Sequence, residues 1–309
     1  MSGCAGYTGS KLLGYLLSAD YYVVGLDNFL YDNQMSILSY LDHPNFKFVY
    51  GDCRNISVVK PLVEESDAVI LLAAIVGAPA CDIRPQRARE TNYESIVDTL
   101  PFLKNKRILW PNTNSGYGAT DGKSFCTEED SLNPISLYGK TKCDAEKAIL
   151  AECPNSVIFR LATVFGVSPR PRFDLLVNDW VAKLYYDRGL EIYEPEYKRN
   201  FVHVRDVCRA FMFALGEPRL NGIYNLGLPE ANISKINLAH KICEYLNISK
   251  DCCKIGSGTD PDKRNYLVSN NKILNSGFRF QYGLGDGIME VSNLCKIMPK
   301  QIIAEMKNI

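Results

Sequence analysis

Gly3-Cys4-Ala5-Gly6-Tyr7-Thr8-Gly9 is the stretch on which the fold turns. It opens directly into residues 9–18, where Leu12, Leu13, Leu16 and Leu17 form one apolar stripe at helical spacing. Each glycine has a task in such a turn. Gly3 allows the tight reversal, Gly6 lets backbone approach a pyrophosphate, and Gly9 lets helix and sheet pack closely. Tyr7 and Thr8 lie in the same loop, and the helix N-terminus favours an anion there. Glycine-rich turns precede many helices, so the pattern gains weight only from its surroundings.

Those surroundings alternate short apolar runs with amphipathic stretches, as parallel strands joined by crossover helices do. Strands are predicted at 22–26, 46–50, 68–73, 107–110 and 157–161. The fold class is therefore α/β, a Rossmann-type doubly wound parallel sheet. Asp27 ends the first of these strands, where a carboxylate accepts hydrogen bonds from ribose hydroxyls; an ordinary turn aspartate is the alternative. Asn28 follows it, not Arg, so a 2′-phosphate would be repelled and NAD is expected over NADP. Asp52 and Cys53, after the next strand, stand where an adenine would lie.

A dinucleotide fold needs a strand before its first glycine, and only Met1 and Ser2 precede Gly3. Such a strand is central, and three or four of its buried side chains would contribute about 5–10 kcal/mol. The first strand is therefore expected to be missing, through a start assigned too far downstream or a truncated product. After Gly166 the alternation breaks at Ser168-Pro169-Arg170-Pro171-Arg172. Residues 201–215 read as a strand and a helix, and 222–227 as a short strand, both able to return to the first sheet. The expected division is 1–163 and 200–227 for the nucleotide-binding domain, with 164–199 and 228–309 as a smaller C-terminal α/β substrate domain.

Composition excludes several roles. The chain has 309 residues, 46% of them hydrophobic, and Lys plus Arg balances Asp plus Glu at 35 each. No global field draws in nucleic acid or an anionic membrane, so an anionic ligand must be held locally. No apolar run approaches the roughly 18–20 residues of a membrane span, and a cytoplasmic protein is expected. The 11 cysteines form no Cys-x-x-Cys pair and only three histidines are present, so no metal site is expected.

The chemistry concentrates in Pro134-Ile135-Ser136-Leu137-Tyr138-Gly139-Lys140-Thr141-Lys142. Residues four apart share a helix face, so Lys142 is expected beside the Tyr138 phenol. A cation about 4 Å away at an effective dielectric near 20 is worth about 4 kcal/mol, or roughly three pKa units. That would bring the tyrosine towards neutrality as a general base. Tyr-x-x-x-Lys also occurs by chance in helices where the tyrosine merely packs. A hydroxyl-rich stretch, Pro111-Asn112-Thr113-Asn114-Ser115-Gly116-Tyr117-Gly118, sits at the end of the strand at 107–110, the edge where open α/β sheets bind ligands.

Here the sequence resembles the extended short-chain dehydrogenase/reductases, the NAD-dependent sugar-nucleotide epimerases and dehydratases, over nearly its whole length. The resemblance implies a triad of Thr113, Tyr138 and Lys142, with Tyr138 taking a proton from a sugar hydroxyl at C4 while hydride passes to NAD. It implies that Leu72-Ala73-Ala74 and Asn92, after Thr91, belong to the cofactor site, with Lys142 on the nicotinamide ribose. Where 4,6-dehydratases have Asp and Glu after the Thr, this chain has Asn114 and Ser115, assigned to the substrate; without a carboxylate, dehydration is disfavoured. Arg199 and Arg264 resemble the two arginines that grip the substrate diphosphate. Thr163 and Asn178 are further candidate substrate contacts. Together with Leu175-Leu176-Val177-Asn178-Asp179 and Pro261-Asp262-Lys263-Arg264, the pattern is most similar to the GDP-heptose 4-dehydrogenase branch. The expected partner is a GDP- or UDP-sugar, and a homodimer is expected from relatives. A 4-epimerase and a non-catalytic dinucleotide-binding protein are the alternatives.

Overall fold

A computed structural model describes residues 1–258 and 264–308. Five strands carry the nucleotide half: β1 (Val23–Asp27), β2 (Phe46–Tyr50), β3 (Ala68–Ile70), β4 (Arg107–Thr113) and β5 (Ser156–Leu161). All pair in parallel with their neighbours, β1 with β2, β3 with β4, and β4 with β5. The middle of β4 and nearly all of β5 are buried, with Ile108, Leu109, Val157, Ile158 and Phe159 at 0% exposure. Strands of this kind read as continuous apolar runs because both faces are covered.

Between β1 and β3 lies the slot of the strand expected to be missing. It is held by Ser2, which bridges in parallel to Leu26 on one side and Leu71 on the other. Leu26 N donates to Met1 O, and Ser2 N donates to Ile70 O. The Met1 ammonium donates to Val24 O at 2.7 Å, and burial lowers its pKa to about 6. The expectation of an absent strand is thus corrected in part, because two residues ladder both neighbours together. The order β2-β1-slot-β3-β4-β5 is Rossmann-type, with the crevice outside the carboxyl ends where the winding reverses.

The helices cover this sheet. The first, α1 (Tyr7–Ser18), buries the Leu12, Leu13, Leu16 and Leu17 stripe against a core shared with α7 (Val204–Gly216). Between them in the chain come α2 (Ile56–Glu64), α3 (Ala78–Ile83), α4 (Ser95–Leu103), α5 (Leu137–Glu152) and α6 (Leu176–Tyr186). Ser136 caps α5 by accepting from Gly139 N, which fixes where the helix carrying Tyr138 begins.

Two short strands, β6 (Thr163–Phe165) and β7 (Phe201–His203), pair with each other. The following β8 (Gly222–Leu226) pairs with β5. Of the two later strands expected to rejoin the sheet, only β8 does. A further apolar core joins α6 to α8 (Lys235–Leu246) and α9 (Leu284–Ile297) through Val177, Val181, Leu238, Ile242, Ile288 and Val291. No helix among the described residues is long and apolar enough to cross a membrane.

Candidate functional site

The carboxyl ends of the strands open into a cavity of about 900 Å³. Its wall includes Gly3, Gly6, Tyr7, Thr8, Gly9, Asp27, Asn28, Asp52, Cys53, Leu72, Ala73 and Ala74. The glycines make a cradle with no spare room. A Cβ on Gly9 would lie 2.0 Å from Gly3 O, and one on Gly3 would lie 2.7 Å from Ala73 N at a backbone φ of +69°. Gly9 therefore seats the helix against the loop itself. The first-turn N–H groups of α1 lie beyond its own hydrogen-bond ladder and suit an anion.

Asp27 is pinned by Ala5 N and Phe29 N, each at 2.9 Å, and burial raises its pKa. Asp52 chelates Arg54 and accepts from Asn28 Nδ2 at 3.1 Å; the Arg54 hydrogen bonds hold its pKa down at about 2. A cradle of this shape, closed by a fixed carboxylate, fits the phosphates and ribose of NAD.

Thr113, Ser115, Tyr138, Lys142, Thr163, Arg199 and Arg264 also line the cavity. Thr113 ends β4 and accepts from Ser115 N at 3.1 Å, while its Oγ1 donates to Ser115 Oγ at 2.9 Å. The Tyr138 phenol lies on the same cavity wall as Thr113. Arg264 Nη1 donates to Ser115 Oγ. Arg199 donates to Lys198 O at 3.0 Å and stands over the Tyr266 ring.

Three of the residues assigned from sequence stand elsewhere. Asn92 is 2% exposed and exchanges hydrogen bonds with the Ile75 backbone, Oδ1 accepting from Ile75 N and Nδ2 donating to Ile75 O. It holds the cavity wall from behind. Asn114 is fully buried, outside the cavity lining, because neighbours at a strand end point to opposite sides. Asn178 accepts from Gly166 N and donates to Arg172 O, so it braces a loop. The Pro261-Asp262-Lys263 part of the sequence pattern lies outside the described residues.

The electrostatics also differ from expectation. Lys142 Nζ lies 3.8 Å from the Trp110 ring centroid, and burial lowers its pKa to about 7. Burial raises Tyr138 to about 12, with Cys81 pushing the same way, and the cations that pull it down are Arg172 and Arg264. The phenol is thus raised rather than brought towards neutrality. Both groups are desolvated, and the lysine has turned its charge to an aromatic face.

Arg170 and Arg172 were missed, since their proline-broken segment reads only as a break in the strand–helix alternation. Arg172 forms a two-pronged ion pair with Asp174, 3.0 and 2.6 Å, and both residues line the cavity. Arg170 stands over the Tyr31 ring. The signal available was Arg-Pro-Arg-Phe-Asp just beyond a strand end. Lys235, 3% exposed at the start of α8, lines the cavity as well.

A doubly wound sheet with a glycine cradle and a hydroxyl, a phenol and cations at one edge defines a dinucleotide-dependent oxidoreductase. The family model of the NAD dependent epimerase/dehydratase family matches residues 1–227, and the chain belongs to that family as an NAD-dependent enzyme. The chain is 27% identical to the low-salt glycan biosynthesis protein Agl12 of Haloferax volcanii, covering 93% of this chain and 95% of that one. It is 29% identical to UDP-arabinose 4-epimerase 1 of Arabidopsis thaliana, over 74% of this chain and 62% of the other. Among solved structures it is similar to the dTDP-glucose 4,6-dehydratase DesIV of Streptomyces venezuelae, as a double mutant with NAD bound. The TM-score there is 0.85 at 23% identity, covering 99% of this chain and 98% of that one.

Proposed function

We propose that the chain oxidises C4 of a nucleotide-diphosphate sugar with NAD and returns the hydride to the other face, as a 4-epimerase. The observation that carries this is the placing of Thr113, Tyr138 and Lys142 together on the cavity wall, next to positions 114 and 115 that hold no carboxylate. Tyr138, in its ionised form, is the group that takes the hydroxyl proton, and Thr113 orients the reacting oxygen. NAD, when bound, accepts the hydride from carbon. Arg199 and Lys235 supply positive charge for the diphosphate. Dehydration at C5 and C6 is disfavoured because Asn114 and Ser115 cannot act as acid or base. The UDP-sugar 4-epimerases among the relatives support the epimerase reading.

A net 4-dehydrogenase acting on a GDP-heptose-like sugar is the second reading, favoured by the combined patterns at 111–118, 175–179 and 261–264. Incubation with NAD and UDP-glucose, UDP-arabinose or a GDP-heptose separates the two. A new sugar without NADH indicates the epimerase, and stoichiometric NADH indicates the dehydrogenase. Tyr138→Phe is expected to lower kcat by about 10²–10⁴-fold while NAD affinity persists. Full activity in that variant refutes both readings.

A further inference from the structure

We propose that Arg170 supplies the side-chain cation for the pyrophosphate of the dinucleotide at the glycine loop, although it comes from a segment more than 150 residues further along the chain. Its role is independent of which sugar nucleotide is turned over.

Arg170 is 8% exposed and lines the same cavity as Gly6, Tyr7, Thr8 and Gly9. Its side-chain partners among the described residues are both uncharged: Nη2 donates to Lys307 O at 3.1 Å, and the guanidinium carbon stands 5.2 Å from the Tyr31 ring centroid. No carboxylate among the described residues lies within ion-pair distance of it. Arg172, two residues on, shows the opposite arrangement, since Asp174 closes it from two sides at 3.0 and 2.6 Å. A buried lysine can shed its proton, but a guanidinium keeps its charge. Such a charge is costly without a counter-ion, and where it borders a cavity it marks the place of an anionic ligand.

The way this segment is anchored selects the anion. Tyr7 Oη donates to Gly166 O at 2.7 Å, and Ser168 Oγ donates to Tyr7 O at 2.5 Å. Ser168 Oγ also meets Ser10 Oγ at 3.1 Å. The segment that carries Arg170 is thus tied to the glycine loop and the first turn of α1. Two residues of chain span at most about 7 Å, so the Arg170 backbone stays within about one side-chain length of that tie. The N-terminus of α1 offers its own half of a site. Gly6 makes no side-chain cap there, and the first turn carries no acidic residue. Backbone N–H groups would take phosphate oxygens from one side, and the guanidinium fork from the other. In a Rossmann-type fold the anion at this loop is the dinucleotide's pyrophosphate.

The test uses the full chain freed of bound nucleotide, as wild type, Arg170→Met and Arg170→Lys. Methionine keeps much of the packing against Tyr31 and removes the charge. Calorimetric affinity for NAD is expected to fall about 10–100-fold in Arg170→Met and less in Arg170→Lys, while affinities for UDP and GDP stay within about threefold of wild type. Without nucleotide, Arg170→Met is expected to unfold about 2 °C or more above wild type, because it removes a buried charge that has no counter-ion. That rise separates ligand binding from bracing: a side chain that only tied Lys307 to Tyr31 would destabilise the chain when removed. An NAD affinity within about threefold of wild type, or a lower unfolding temperature, overturns the proposal and leaves Arg170 as a brace. A tenfold or larger loss for UDP or GDP assigns the guanidinium to the sugar nucleotide, and a loss seen with NADP but not with NAD assigns it to the ribose. Either result overturns the proposal as well.

Discussion

The two ends of the cavity are made of different materials. At the glycine loop the wall is backbone, and what matters is the lack of a side chain: a single Cβ on Gly9 would fall 2.0 Å from a carbonyl oxygen. At the Tyr138 end the wall is long polar side chains that hold one another, Arg264 on Ser115 and Arg172 on Asp174. Backbone walls are set by local chain geometry. Side-chain walls are set by partners far apart in sequence, such as Arg264 and Ser115, 149 residues apart.

The contrast can be broken from the side-chain end with the largest effect. Glu146, on the same helix as Tyr138, is 2% exposed; its two oxygens take Arg160 Nη2 at 2.7 Å and Nε at 3.2 Å, and Asn112 Nδ2 at 2.5 Å. Glu146→Ala leaves a buried guanidinium uncompensated and is expected to cost about 3–5 kcal/mol in urea unfolding.

Lys142→Met is expected to act in the other direction. The folded pKa of Lys142, about 7, lies below the ordinary 10.5, so the unfolded chain binds the extra proton between these values. Stability therefore rises with pH across that window, and the penalty is complete below it. Removing the charge should stabilise the chain without added NAD at pH 7 by on the order of 2–3 kcal/mol, net of the lost Trp110 contact, and the gain should fade towards pH 10.5. Thermal unfolding followed from pH 6 to 10 checks both sign and window.

The backbone end is expected to respond less in stability and more in ligand affinity. Gly9→Ala should cost about 1–3 kcal/mol by overpacking and weaken NAD binding at least about tenfold, read by calorimetry. The smallest effect is expected at Asn114, which lies outside the cavity: Asn114→Ala should leave the KM of a turned-over sugar nucleotide within about twofold. A larger rise would put that side chain back on the substrate.

The same contrast explains what was legible in the sequence. Strands such as β5 and the leucine face of α1 were readable because their pattern is local and their burial is nearly complete. The glycine loop was readable because each of its residues has a steric reason tied to its neighbours in the chain. Thr113, Asn114 and Ser115 show where this stops. All three lie at the right strand end, yet the middle one faces away, and only the structure gives the direction of a side chain where a strand passes into a 3₁₀ turn. Asn92 and Asn178 failed similarly: a buried amide near a site serves as well to tie backbone loops as to touch a ligand. The direction of the Tyr138 pKa was misjudged because helical spacing brings residues near each other but does not say how far burial desolvates the phenol.

The Glu146–Arg160 pair has one more consequence, which is mechanical. Glu146 sits eight residues along the helix from Tyr138, about 12 Å at the rise of an α-helix. The pair is a fulcrum, and the phenol rides at the end of the lever. A tilt of about 5° there would carry the phenol roughly 1 Å, a displacement of the size that can lower a rate about a hundredfold. Substitutions that never reach the cavity can therefore detune its chemistry by loosening this one buried joint.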